Sequence, residues 1–133
     1  MATFVLKEIV IPHAKIKLYK LIDENGNCEY DDWRKAVGLA GTFADELDNM
    51  DTILIDHAQM RVRVPPSRFK ELGNRKGNDP IKDYECRTGN LRLYLFKIDE
   101  GKAVVLGGPA NKTQQPQDIA RMRRIKKAYH ADL

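Results

Sequence analysis

Between residues 83 and 108 the chain reads DYECRTGNLRLYLFKIDEGKAVVLGG, three short strands joined by two turns. Alternation sends Leu91, Leu93, Leu95 and Lys97 one way and Arg92, Tyr94, Phe96 and Ile98 the other. Both sets are largely apolar, so one face of this strand packs on a core and the other is at least partly covered. Asp99-Glu100-Gly101-Lys102 is a turn, and the apolar run Ala103–Leu106 stops at Gly107-Gly108-Pro109. Arg92 is the odd residue, a cation inside an apolar strand, and it needs a carboxylate or a phosphate as partner.

Earlier in the chain, Phe4 to Ile11 predicts a strand ended by Pro12. Lys15 to Leu21 alternates Ile16 and Leu18 with lysines and predicts a second. Asp23-Glu24-Asn25-Gly26 is a turn of hairpin type. Asn27 to Tyr30 is either its return strand or the lead into a helix. Asp31 or Asp32 is the expected cap of a helix beginning near Trp33, with Trp33, Val37 and Ala40 on one face. Gly41-Thr42 interrupts it. Thr42 is the expected cap of a second helix, striped by Phe43, Leu47, Met50, Ile53 or Leu54, His57 and Met60, which ends by Arg63-Val64-Pro65-Pro66. Ser67 to Leu72 reads as a short helical connector, and Gly73 to Pro80 and Asn111 to Gln117 as polar loops. A last helix runs from Pro116 or Gln117 to Ala131, its stripe made of Ile119, Met122, Ile125 and Tyr129.

The elements together predict an α+β fold: a twisted, mostly antiparallel sheet with two helices packed on one face and a C-terminal helix at its edge. At 133 residues the chain reads as one domain, 1–133. No apolar run approaches the length of a membrane span, and the N-terminus lacks the basic leader and cleavage site of a signal peptide. Two cysteines, Cys28 and Cys86, fit a reducing cytoplasm. Neither they nor the three histidines have the spacing of a metal site. His13 and His57 read as loop and helix-face residues. Gly107-Gly108 lacks the spacing of a phosphate-binding loop.

Charge alters the picture. Residues 1–60 hold 6 basic and 11 acidic side chains, whereas residues 61–133 hold 17 and 8. Arg121, Arg123, Arg124, Lys126 and Lys127 crowd the last helix. Such asymmetry points to a polyanionic partner for the second half, unless the acidic half neutralises it within the fold. Arg121, Arg124 and Lys127 are the candidate nucleic-acid contacts.

From residue 69 onward the chain resembles the RelE/ParE toxin superfamily. The resemblance is carried by FKEL, YECRTGNLRLYLF, an acidic-glycine turn, AVVLGG and NKTQQPQDIARMRRIKKAY, in that order. Residues 1–60 match only in coarse pattern. The resemblance implies a RelE-like toxin of a type II toxin–antitoxin module: a cytoplasmic, ribosome-dependent mRNA interferase that inhibits translation. Its partners would be a cognate antitoxin, the ribosome and mRNA, with no cofactor, no metal and no membrane. In that chemistry a ribose 2′-OH attacks the adjacent phosphate, which calls for a proton acceptor, cations for the phosphorane and a donor for the leaving oxygen. By position, Arg92 matches the family's phosphate-binding arginine and Arg87 a second basic position. Lys112 lies in the loop before the last helix. Tyr129, or the adjacent His130, matches the aromatic near the C-terminus. Asp83 and Glu85 stand where the RelE interferase has two catalytic lysines. They would repel phosphate or pair with Arg92 or Arg87, and they favour the alternative: a non-catalytic binding protein of the same fold, gyrase-directed or a degenerate toxin.

Overall fold

A computed structural model describes residues 4–73, 79–108 and 115–131. The described elements are β1 (Val5–Ile9), β2 (Lys17–Ile22), α1 (Glu29–Ala40), α2 (Glu46–Gln59), β3 (Phe69–Glu71), β4 (Asp83–Arg87), β5 (Arg92–Asp99), β6 (Lys102–Gly107) and α3 (Gln115–Ala131). The strands form one sheet in the order β1-β2-β6-β5-β4-β3. Neighbours run antiparallel except β2 and β6, which pair in parallel from Lys17↔Lys102 to Lys20↔Val105. The fold is therefore α+β with a mostly antiparallel sheet, and its two sequence halves share that sheet.

The alternation read from β5 decides the layering. Leu91, Leu93 and Leu95 join Trp33 and Val37 of α1 and Met50, Leu54 and Ala58 of α2 in one core. Tyr94 and Phe96 join Val104, Leu106, and Met122 and Tyr129 of α3 in a second. Helix α3 thus covers the opposite face of the sheet rather than its edge. Strands with two covered faces carry apolar residues on both sides, as β5 and β6 do.

Local chemistry sets the element ends. Asp23 Oδ1 accepts from the backbone N–H of Asn25 and of Asn27, both at 2.9 Å, and Gly26 closes the turn at φ 83°. A single bridge, Ile22↔Cys28, separates this turn from α1, which starts at Glu29. The helix begins ahead of the expected Asp31 or Asp32 cap because Tyr30, Trp33 and Val37, one helical face, are all buried. Glu29, Asp31 and Asp32 fill the first turn instead, where acids suit the helix dipole. Gly41 ends α1 in the left-handed conformation, its N–H donating to the Val37 carbonyl. Residues 42–45 form turns, so α2 starts at Glu46 and Thr42 is not its cap. Arg34 of α1 grips Asp51 of α2 with two bonds, 2.6 and 3.2 Å.

The segment read as a helical connector contains strand β3. Phe69–Glu71 pairs with β4 and Phe69 stacks on His57 of α2, ring centroids 3.8 Å apart. Three residues are too few to show a period, so sheet pairing decides their conformation.

Asp83, fully buried on β4, faces α3. It accepts from Arg123 Nε at 2.9 Å, Arg123 Nη2 at 3.1 Å and Lys126 Nζ at 2.8 Å. Lys126 also donates to the Ile81 carbonyl and pairs with Asp79, and Arg123 donates to the Gly73 carbonyl. Two of the five cations that crowd α3 in the sequence therefore hold the helix on the sheet. Asp83→Ala is expected to cost about 3–5 kcal/mol, because it strips a buried partner from two cations. Urea unfolding measures it. A loss below about 1 kcal/mol would show the network to be dispensable, whereas adding Arg123→Met and Lys126→Met should recover part of the loss.

Candidate functional site

The β4–β5 hairpin places Arg87 directly opposite Arg92 in register. Both lie on the α3 face, the face that also takes Asp83 and Glu85 from β4 and Tyr94 from β5. Like charges facing each other across a ladder are unfavourable, so other contacts must hold them. The Arg92 guanidinium donates to Glu85 at 3.3 Å, and Lys70 of β3 reaches the other Glu85 oxygen at 4.0 Å. Glu85 is fully buried and Arg92 only 12% exposed. Arg87 donates through Nε to the Ser67 carbonyl at 2.9 Å.

The turn between the arginines is latched from the opposite side of the sheet. Glu46, first residue of α2, accepts from the Asn90 backbone N–H and side-chain amide, both at 2.7 Å, and from the Thr88 hydroxyl. Burial raises the pKa of this carboxyl, but the bonds from Thr88 and Asn90 outweigh it and leave it below the ordinary value. A charged latch on the turn keeps the two arginines in register.

Glu85, Arg92, Asp118 and Arg121 surround the Tyr94 hydroxyl electrostatically. Burial, then the Glu85 charge, pushes the pKa of this phenol up. The hydroxyl, the Arg92 Nε and the Arg121 Nε are all buried without a hydrogen-bond partner among the described residues. Arg121 reaches Glu29 of α1 at 3.3 Å and the Gly107 carbonyl at 3.5 Å, so it ties α3 to α1 around the end of β6. Burial raises the Glu29 pKa against the lowering influence of Arg121. Gly108 has no room for a side chain there, since a Cβ would collide with the Arg92 carbonyl.

Of the residues picked from sequence, Arg87 and Arg92 come together, and Arg121 stands at the same end of the sheet. Arg124 and Lys127 project from the exposed side of α3. Lys112 lies outside the described residues, as do 74–78 and 111–114 of the two polar loops. Tyr129 is buried in the second core, its ring 5.9 Å from Phe96 and 6.2 Å from Phe4. Phe96 is four residues along β5 from Arg92, a separation of about 13 Å, so the structure does not bring Tyr129 beside the arginines. His130 bonds the Lys97 carbonyl at 3.2 Å near that same far end. Sequence reasoning missed Lys70, Tyr94 and the Glu46 latch. Glu46 has no local signal, because its partners are more than 40 residues away.

Chemically, the arrangement sets two arginines at opposed register positions on one face, one of them already paired with a buried carboxylate. Among the described residues, no group of three or more His, Cys, Asp or Glu side chains could hold a metal ion, and no helix is long and apolar enough to cross a membrane. No family model, curated protein or solved structure matches the chain.

Two substitutions probe these environments. Tyr94→Phe removes a hydroxyl that has no partner among the described residues, so it should change stability by less than about 0.5 kcal/mol or raise it; a loss above about 1 kcal/mol in urea unfolding would show that the hydroxyl is hydrogen-bonded. Burial lowers the His57 pKa below its ordinary 6.5, so the unfolded chain binds a proton that the native chain resists. The stability tied to neutral His57 is complete above that value and is lost as pH falls through it towards the lowered one. Urea midpoints measured from about pH 7.5 down to about pH 5 should fall, and His57→Phe should flatten that fall.

Proposed function

We propose that the protein is a cytoplasmic RelE-like toxin of a type II toxin–antitoxin module, acting as a metal-independent mRNA endoribonuclease on the ribosome and held in check by a cognate antitoxin. The observation that carries this is the opposed pair Arg87 and Arg92. Two arginines at opposed register positions on one face, with the turn between them latched, supply cations of the kind that hold an oxyanion, which supports the reading. In this role Arg92 and Arg87 hold the scissile phosphate and stabilise the charge that builds on it. Arg121 extends the cationic surface along the same end of the sheet. Arg124 and Lys127 contact the nucleic-acid backbone. Lys112 stays in the reading as a sequence-based basic candidate, whereas Tyr129, buried against Phe96 and Phe4 at the far end of β5, is not placed to act on that phosphate.

One observation favours the second reading, a non-catalytic binding protein of the same fold. Glu85 is buried against Arg92, which neutralises part of the charge a phosphate would need. In that case the basic end of the sheet docks on a protein target such as gyrase, and the toxin acts by occupancy.

Mapping mRNA 5′ ends in a reconstituted translation reaction separates the two. With the wild-type chain, cuts should appear only when ribosomes are present. Arg92→Ala should lower their rate by about 10²–10³-fold, the usual cost of losing one donor to a developing oxyanion. Arg92→Lys, which keeps the charge and the Glu85 pair but loses the fork, should fall between them. No cuts from folded wild-type protein would overturn the nuclease reading, and inhibition of gyrase supercoiling by that same protein would support the second.

A further inference from the structure

From the end of α2 at Met60 into the end strand β3 the chain reads RVRVPPSRFK, with Arg61, Arg63, Arg68 and Lys70 and no acid. Arg61, Arg63 and Arg68 are exposed, and none of the three has an ion-pair partner among the described residues. Lys70 reaches Glu85 at 4.0 Å. Pro65 and Pro66 restrict the backbone here, and the Pro65 carbonyl accepts from the N–H groups of Arg68 and Phe69 at 2.9 and 3.1 Å.

The backbone ties this segment to the arginine pair. Arg87 donates its N–H to the Arg68 carbonyl at 2.8 Å and its Nε to the Ser67 carbonyl at 2.9 Å. Arg87 in turn stands opposite Arg92. Arg68, Arg87 and Arg92 therefore occupy neighbouring positions across three adjacent chain segments, about 5 Å from one backbone to the next. Arg68 also borders a hollow shared with Thr88 and Gly89, in the turn between the other two. Exposed cations without partners gain by meeting a polyanion, because each phosphate they neutralise releases condensed counterions. A guanidinium also presents a fork that matches two phosphate oxygens. A carboxylate-rich peptide offers similar oxygens, but the row begins at the pair read above as phosphate-binding, and one continuous polyanion serves both. We propose that Arg61, Arg63 and Arg68 hold the phosphate backbone of the RNA strand next to the stretch bound at Arg87 and Arg92. The identity of the anion rests on the nucleic-acid reading, whereas binding here needs no cleavage.

The test reads binding alone. A fluorescein-labelled single-stranded RNA of about 12 nucleotides, with 2′-O-methyl riboses that lack the attacking hydroxyl, is titrated with the full chain and followed by anisotropy from about 50 to about 200 mM salt. Arg61→Gln/Arg63→Gln/Arg68→Gln should bind at least about tenfold more weakly at low salt, with a log–log salt slope shallower by about 2, the share of three lost contacts at about 0.7 each. Lys7→Gln/Lys17→Gln/Lys35→Gln removes the same charge from exposed positions of β1, β2 and α1 and should stay within about threefold of the wild type. Circular dichroism checks that both variants are folded. Equal weakening by the two variants would show net charge alone at work. Wild-type affinity in the arginine variant would show the segment idle. A glutamate-rich peptide that binds where the RNA does not would point to an acidic protein partner. Each of these results overturns the proposal. Ribosome-dependent cutting by the wild-type chain is scored separately: cuts with an idle segment remove only this surface, and segment-dependent RNA binding without cuts removes only the nuclease.

Discussion

Two carboxylates buried in one five-residue strand set the terms for what surrounds them. Asp83 and Glu85 both sit on β4 with essentially no exposure, and a buried charge without a partner costs several kcal/mol. Asp83 is met by Arg123 and Lys126, which hold α3 on the sheet. Glu85 is met by Arg92 of β5 and, at longer range, Lys70 of β3. The same two residues therefore dock the C-terminal helix, orient the central arginine and join β3, β4 and β5 through side chains as well as backbone. The strand that carries both buried carboxylates is the strand that organises this face.

The sheet has two covered faces, and its chemistry divides accordingly. Towards α3 lie the arginine pair, the buried phenol of Tyr94 and the charge network. Towards α1 and α2 lie an apolar core and the Glu46 latch. Glu46 links the faces: from the α2 side it fixes the turn that keeps Arg87 and Arg92 in register on the α3 side.

The local elements that were legible each had a strong local cause. Leu91, Leu93 and Leu95 against Tyr94, Phe96 and Ile98 gave the two faces of β5 correctly, because a period of two is unambiguous over eight residues. Asn25-Gly26 and Gly41 marked a turn and a helix end, because both glycines adopt positive φ. Where local causes were weak, packing decided instead. The start of α1 moved to Glu29 because burying Tyr30 outweighed the cap preference of Asp31 or Asp32. Phe69–Glu71 became a strand because β4 offered an edge. On α3, Lys126 read as one of the cations that crowd the helix, and it is buried because of its partner Asp83, 43 residues away, which no local pattern reveals.

The sequence by itself determined the fold class, the hairpin that carries Arg87 and Arg92, and the need of Arg92 for an anionic partner. These come from alternation, turn chemistry and the cost of burying a charge, all of which act within a few residues. Only the tertiary structure decided that Glu85 is that partner, that β2 pairs in parallel with β6, and that α3 covers a face rather than an edge. It alone separated Tyr129 from the arginines. Those outcomes depend on which distant segments meet. Ion pairing and burial reward such meetings only once the chain has closed long loops, and no local pattern records which loops close.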